Sequence, residues 1–185
     1  TASWDLGQIP EGKYYVQVLW DQDREESGIN ASGNLQSVKQ EIQVDGETHL
    51  DLVLDQQIRP RNLDEHPLLR LVDLKSDTLS AWWGKDMHLK ASVLLPAGYE
   101  KGKAYAIRYN VAGYGGRYTR VNRLVQDEEF MSWWTSGEAP GVINVFLDGE
   151  GPFGDSYQLD SENSGPYGTS LIHELIPHIE SLYRG

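Results

Sequence analysis

Apolar and polar residues largely alternate in VKQEIQV (38–44) and THLDLVL (48–54), and YYVQVLW (14–20) is rich in Tyr, Val and Trp. A period of two with β-branched and aromatic residues predicts strands with one solvated face, as in an antiparallel sandwich. Asp45-Gly46 between the first two of these, with Glu47 as a third loop residue, is a hairpin signal. A polar stretch, DQDREESGINASGNLQS, separates the strand at 14–20 from the one at 38–44. The segment IRPRNLDEHP (58–67) holds two prolines and reads as a linker, so the chain divides into a module over 1–60 and a second region over 61–185.

The pattern changes beyond the linker. LRLVDLK (69–75) and HLKASVLLP (88–96) read as two strands joined through WWGKD, and AYAIRYNV (104–111) as a third. In VNRLVQDEEFMSWW (121–134), Val121, Leu124, Val125, Met131 and Trp134 fall roughly on one side of a helix. GVINVFLD (141–148) is an apolar run, broken only by Asn144 before its closing Asp148, which predicts a parallel strand covered on both faces. SLIHELIPHIESLYR (170–184) carries the stripe Leu171, Leu175, Ile179 and Leu182, with Pro177 set to kink or divide it. Strands alternating with helices after an antiparallel start predict an α/β fold, with ligands at the carboxyl ends of the strands. Two loops lie there: AGYGGRYTR after the strand at 104, and DGEGPFGDSYQLDSENSGPYGT after the strand at 141.

Composition narrows the partners. A formal charge of −12 argues against nucleic acid and against an anionic membrane surface. No run of 18 apolar residues occurs, and TASWDLGQIP has no signal-peptide pattern. The absence of cysteine excludes disulfides, thiolate metal sites and a Cys nucleophile, and sets no compartment.

Gly113, Gly115 and Gly116 end the strand at 104–111 in a turn whose backbone can approach a ligand closely. The spacing fits neither the P-loop nor the dinucleotide fingerprint. A structural tight turn and an oxyanion loop remain; the latter needs backbone N–H groups aimed at a developing negative charge, on a strand–turn–helix unit.

Residues 69–184 resemble the esterase family of α/β-hydrolases that includes enterochelin esterases, feruloyl and acetyl xylan esterases, and esterase D. The segments that carry the resemblance are ASVLLPAGY, IRYNVAGYGG, VINVFLDGEG and, most specifically, DSENSGPYGTSLIHELIPHIESLYR. The amino-terminal strands are similar to the β-sandwich module that precedes the esterase domain in some members. The resemblance implies a partial α/β-hydrolase sheet behind a small antiparallel β-sandwich-like module. It implies a serine carboxylic-ester hydrolase without a cofactor, acting on a small-molecule or polysaccharide-linked acyl or feruloyl ester. By the same resemblance, the Tyr114 N–H is the oxyanion donor, and Gly113, Gly115 and Gly116 shape the loop. Many members carry His where this chain has Ala112.

No serine of the chain lies in a G-x-S-x-G elbow. The expectation is therefore a fragment, inactive alone, whose partner is a missing carboxy-terminal half or an oligomer mate. The competing class is a non-catalytic carbohydrate-binding or scaffold protein on the hydrolase shell. In the long loop, Asp155, Tyr157, Glu162 and Asn163 are candidate substrate contacts, against a role in ordering the loop and capping the next helix. Trp82-Trp83 and Trp133-Trp134 read as packing rather than ligand stacking. HELIPH departs from HExxH by one residue and by Pro177, so no zinc site is expected. Asp21, Asp23, Glu25 and Glu26 do not meet the EF-hand pattern and read as a solvated loop.

Overall fold

A computed structural model describes residues 8–23, 26–46 and 49–184 and divides the chain into two compact units. The first unit holds the described residues up to 60 other than 26–27; the second holds 61–184 together with Glu26 and Ser27.

In the first unit, β1 (Gly12–Val16) pairs antiparallel with β4 (Gln40–Val44), with Tyr14 opposite Ile42. A second antiparallel sheet joins β2 (Leu19–Trp20), β3 (Leu35–Gln36) and β5 (Gln56–Gln57) in the order β2-β3-β5. The expected hairpin of 38–44 with 48–54 is not found. Residues 49–55 carry no strand, Glu47 and Thr48 lie outside the described residues, and β4 satisfies its alternation against β1. Ala31 is the one fully buried apolar residue of this unit among those described, beside buried Asn34 and Ser37. The Asn34 carboxamide oxygen accepts from the Gln22 and Asp23 amides at 2.8 and 2.9 Å, and Ser37 Oγ accepts from the Val18 amide at 3.0 Å. Directed hydrogen bonds, rather than a large apolar core, set the path of this unit.

The second unit is built on a mixed four-stranded sheet, β6 (Leu69–Lys75), β7 (His88–Leu94), β8 (Ala106–Asn110) and β9 (Val142–Leu147), in the order β6-β7-β9-β8. The β6–β7 and β7–β9 pairs are antiparallel, and β8–β9 is parallel. β6 and β7 are joined by α1 (Asp77–Trp83), a helix the sequence pattern did not announce. Ser76 Oγ caps it by accepting from the Leu79 amide, and Gly84 ends it at φ 66°. Glu174 supports the same cap by accepting from the Thr78 amide at 2.9 Å.

Residues 121–134 form two short helices rather than one. A 3-10 turn (Tyr118–Val121) leads into α2 (Asn122–Val125), and α3 (Glu128–Thr135) starts afresh with Asp127 Oδ1 accepting from the Phe130 amide. A local cap here outweighs the continuous helical pattern. The final helical run comprises α4 (Tyr167–Ser170), one wide π turn (Leu171–Leu175) and α5 (Ile176–Tyr183). Pro177 has no N–H to donate to the turn before it, and the wide turn absorbs that loss without ending the run.

Both faces of the sheet are covered. Ile143, Val145 and Leu147 of β9 pack with Val72, Leu79, Leu175 and Ile179. Phe146, from the same strand, packs on the other side with Leu94, Val121 and Trp134. The run at 142–147, apolar but for Asn144, therefore corresponds to a strand buried on both faces, as its pattern predicts. Trp134 Nε1 donates to the Leu95 carbonyl at 2.9 Å, which satisfies the indole in the core.

Candidate functional site

The carboxyl ends of β8 and β9 lie side by side, because the two strands are parallel and in register from Ala106↔Val142 to Asn110↔Phe146. Arg120 ties these ends together. Its Nη1 donates to the Leu147 carbonyl at 2.7 Å and to the Arg117 carbonyl at 2.9 Å, and its Nη2 donates to the Asn110 carbonyl.

The glycine turn follows β8. Gly115 has φ 73°, which favours glycine, and a Cβ on Gly116 would stand 1.9 Å from Ala112 Cβ. The Gly116 amide closes the turn on the Gly113 carbonyl at 3.0 Å. The Gly116 carbonyl in turn accepts from the Gly149 amide at 3.1 Å, which couples this turn to the loop after β9. A second link is chemically more telling. The Gly115 amide donates to Asp155 Oδ2 at 2.5 Å, so a carboxylate oxygen occupies one of the turn's N–H groups.

Two sets of sequence-derived candidates thus meet here: Gly115 from the turn and Asp155 from the long loop. Tyr114 is 84% exposed at the apex of the turn. Tyr157 is exposed and, with Gln158, adopts positive φ (52° and 50°). Such values are costly for residues with a Cβ, and they hold the loop in a sharp reversal. Glu162 and Asn163 lie exposed between β10 (Asp160–Ser161) and β11 (Gly165–Pro166); among the described residues, no hydrogen bond ties them to the glycine turn. Asp160 accepts from the Thr169 amide and hydroxyl at 2.8 and 2.6 Å, so part of this loop's polarity orders the following helix. The segment read as one long loop after the strand at 141 carries the short pair β10–β11, in which Gly165 (φ 89°) lets the chain turn back against Trp82.

Behind the turn is a cluster that the sequence did not reveal. Arg117 is 8% exposed and is surrounded by three carboxylates. Its Nη2 pairs with Glu26, its Nη1 with Glu150 Oε2 at 2.7 Å, and its Nε approaches Asp148 Oδ1 at 3.5 Å. Glu150 Oε1 also accepts from the Ser27 hydroxyl at 2.9 Å. Burial pushes the Asp148 carboxyl up from 3.8 to about 6, against the opposing pull of Arg117. Three carboxylates share one guanidinium here, so the attraction of Arg117 does not offset the burial of Asp148. Glu26, read as part of a solvated acidic loop, is instead a partner of Arg117; Glu25 lies outside the described residues. No local signal could have found this pair, because the two residues are far apart in sequence and neither lies in a motif.

In front of the turn is an open cleft of about 460 Å³, lined by residues 113–116, Thr119, Arg61, Arg117, Arg120 and Arg123. That volume is in the range of small-molecule sites. Among the described residues, no group of three or more His, Asp or Glu is arranged to hold a metal ion. His173 lies in the π turn, His178 in α5, and His88 Nδ1 pairs with Asp73 Oδ1 at 2.6 Å. Among the described residues, no helix is long and apolar enough to cross a membrane. No protein-family model matches this chain, and no curated protein matches it.

Proposed function

We propose that residues 61–184 are part of a serine carboxylic-ester hydrolase of the α/β type, in which the glycine turn supplies an oxyanion donor. The observation that carries this reading is at the residue after the expected donor Tyr114: the Gly115 amide already holds a carboxylate oxygen at the carboxyl end of a parallel strand. β8 is the third strand of its sheet and is followed by helical segments, the position from which α/β-hydrolases present one oxyanion N–H. The strand order supports the same reading. β8 ends the sheet, so its outer edge can accept a further parallel strand beside the turn.

In this reading, a serine attacks the ester carbonyl, the carbonyl oxygen becomes an oxyanion held by the turn's N–H groups, and the alcohol leaves. Water then releases the acid from the acyl-enzyme. The Asp155 carboxylate stands where an anionic oxygen is accepted, so it must withdraw from Gly115 for the turn to serve. The nucleophile must come from polypeptide outside residues 1–185, because no serine here lies in an elbow.

The test is turnover of p-nitrophenyl acetate by this chain alone and by a chain that supplies the elbow. The expected result is no turnover alone, turnover when the elbow is supplied, and labelling of a serine outside residues 1–185 by a fluorophosphonate. Gly116→Ala should abolish turnover, because its Cβ cannot share space with Ala112. Tight carbohydrate binding without turnover or labelling would instead assign the shell to binding.

A further inference from the structure

Four of the chain's nine arginines line the cleft in front of the glycine turn, and no Asp or Glu lines it. The chain as a whole holds 28 acidic residues against 16 basic ones, so this cleft runs opposite to the rest of the molecule. The arginines are not equivalent. Arg117 is neutralised from behind by Glu26, Asp148 and Glu150. Arg120 spends donors on three backbone carbonyls, which satisfy N–H groups without cancelling the charge. Arg123 is exposed and enters no ion pair among the described residues.

The two guanidinium charges not cancelled by ion pairs, those of Arg120 and Arg123, favour an anion in the cleft. The turn already presents the Gly115 amide to a carboxylate, that of Asp155. A planar carboxylate also matches the guanidinium fork. We infer that this cleft binds a carboxylate-bearing ligand, with Arg120 and Arg123 recognising the carboxylate beside the glycine turn. Resting on the esterase reading, the substrate is then an ester with a second, free carboxylate, such as a hemiester of a dicarboxylic acid or an ester within a uronate-containing glycan. Arg123 and Arg120 act as specificity-determining residues, and the free carboxylate anchors the substrate while the turn receives the ester oxygen.

The experiment uses the isotope-labelled 185-residue chain and three probes: monomethyl succinate, neutral dimethyl succinate and inorganic phosphate, each followed by amide chemical shifts. Monomethyl succinate should shift amides within 113–123 saturably and bind about tenfold tighter than dimethyl succinate. Added salt should weaken it. Arg123→Glu should weaken it by about tenfold, whereas Arg108→Glu, the same charge change on exposed β8 outside the cleft, should not. The urea midpoint of each variant reports whether it is folded.

Equal binding of the two esters, no saturable shift in 113–123, or equal losses in the two variants would overturn the inference. Phosphate binding tighter than monomethyl succinate would overturn the carboxylate assignment. No readout depends on turnover. Failure here with p-nitrophenyl acetate hydrolysis in the completed protein removes the inference and leaves the esterase reading. Binding here without any turnover in the completed protein keeps the site and removes that reading.

Discussion

Ile107 and Ile143 sit opposite one another in the parallel pair β8–β9, yet their surroundings differ. Ile143 is fully buried, in a strand buried almost throughout. Ile107 is half-buried, in a strand whose burial alternates and whose outer edge has no partner among the described residues. One residue type in one register position thus reports two environments, the middle of a sheet and its open rim. The loops follow suit: β9 leads into a buried charge cluster, β8 into an exposed turn before an arginine-lined cleft.

The largest effect expected from this contrast is at Ile143. Ile143→Ala removes buried methylenes from a site enclosed by both neighbouring strands and the terminal helix, and should cost about 2–5 kcal/mol in urea unfolding. A loss below about 1 kcal/mol would mean that the middle of the sheet is loosely packed and that the contrast with β8 is false.

The next concerns the loop after β9. The Asp148 carboxyl is raised from 3.8 to about 6 in the folded protein. Between these values the native state holds a proton that the unfolded chain has lost, so stability falls as pH rises through this window. The contribution is fully present below pH 4 and is gone above the folded value. Relative to Asp148→Asn, the wild type should lose up to about 3 kcal/mol between pH 4 and 7. Urea midpoints at pH 4, 5, 6 and 7 measure it; parallel curves for the two proteins would show that burial does not govern this carboxyl. Asn retains an oxygen to accept from the Glu150 amide, so the loop's backbone contact survives.

Arg120→Met tests the tie between the two strands. It keeps much of the aliphatic length and removes the guanidinium that lies over the Phe146 ring, with its donors to Asn110, Arg117 and Leu147. The expected cost is about 1–3 kcal/mol. Hydrogen exchange should quicken at residues 110–117 more than in β9; equal acceleration in both would place Arg120 in the general core rather than at the junction.

What the sequence made legible follows the same division. The run VINVFL, apolar but for Asn144, could be placed as a doubly covered strand because burial on both faces removes the alternation. The glycine turn was legible because close backbone approach restricts residue type, and Gly116 against Ala112 is the plain instance. Arg117 with Glu26, Asp148 and Glu150 was not legible, since long-range ion pairs leave no periodicity. Nor was the pairing of β4 with β1: Asp45-Gly46 pointed to the adjacent segment, and alternation alone does not name a partner. The break of the 121–134 helix was written in Asp127, whose capping role competes with the apolar stripe around it.

The smallest expected effect is at Ile107. Ile107→Ala should cost about 1–2 kcal/mol, because the side chain packs on the core from a half-buried position and its surroundings can relax into solvent. The ratio of this loss to that of Ile143→Ala measures how open the rim is. If a further strand docks on β8 in a polypeptide that supplies the nucleophile elbow, the rim becomes a second centre and the two losses should converge. Measuring both substitutions in this chain and in that longer polypeptide separates the cases. Convergence places the new strand on β8 beside the glycine turn, whereas an unchanged gap means that the elbow, if present, is carried elsewhere and the turn's oxyanion role fails on geometry.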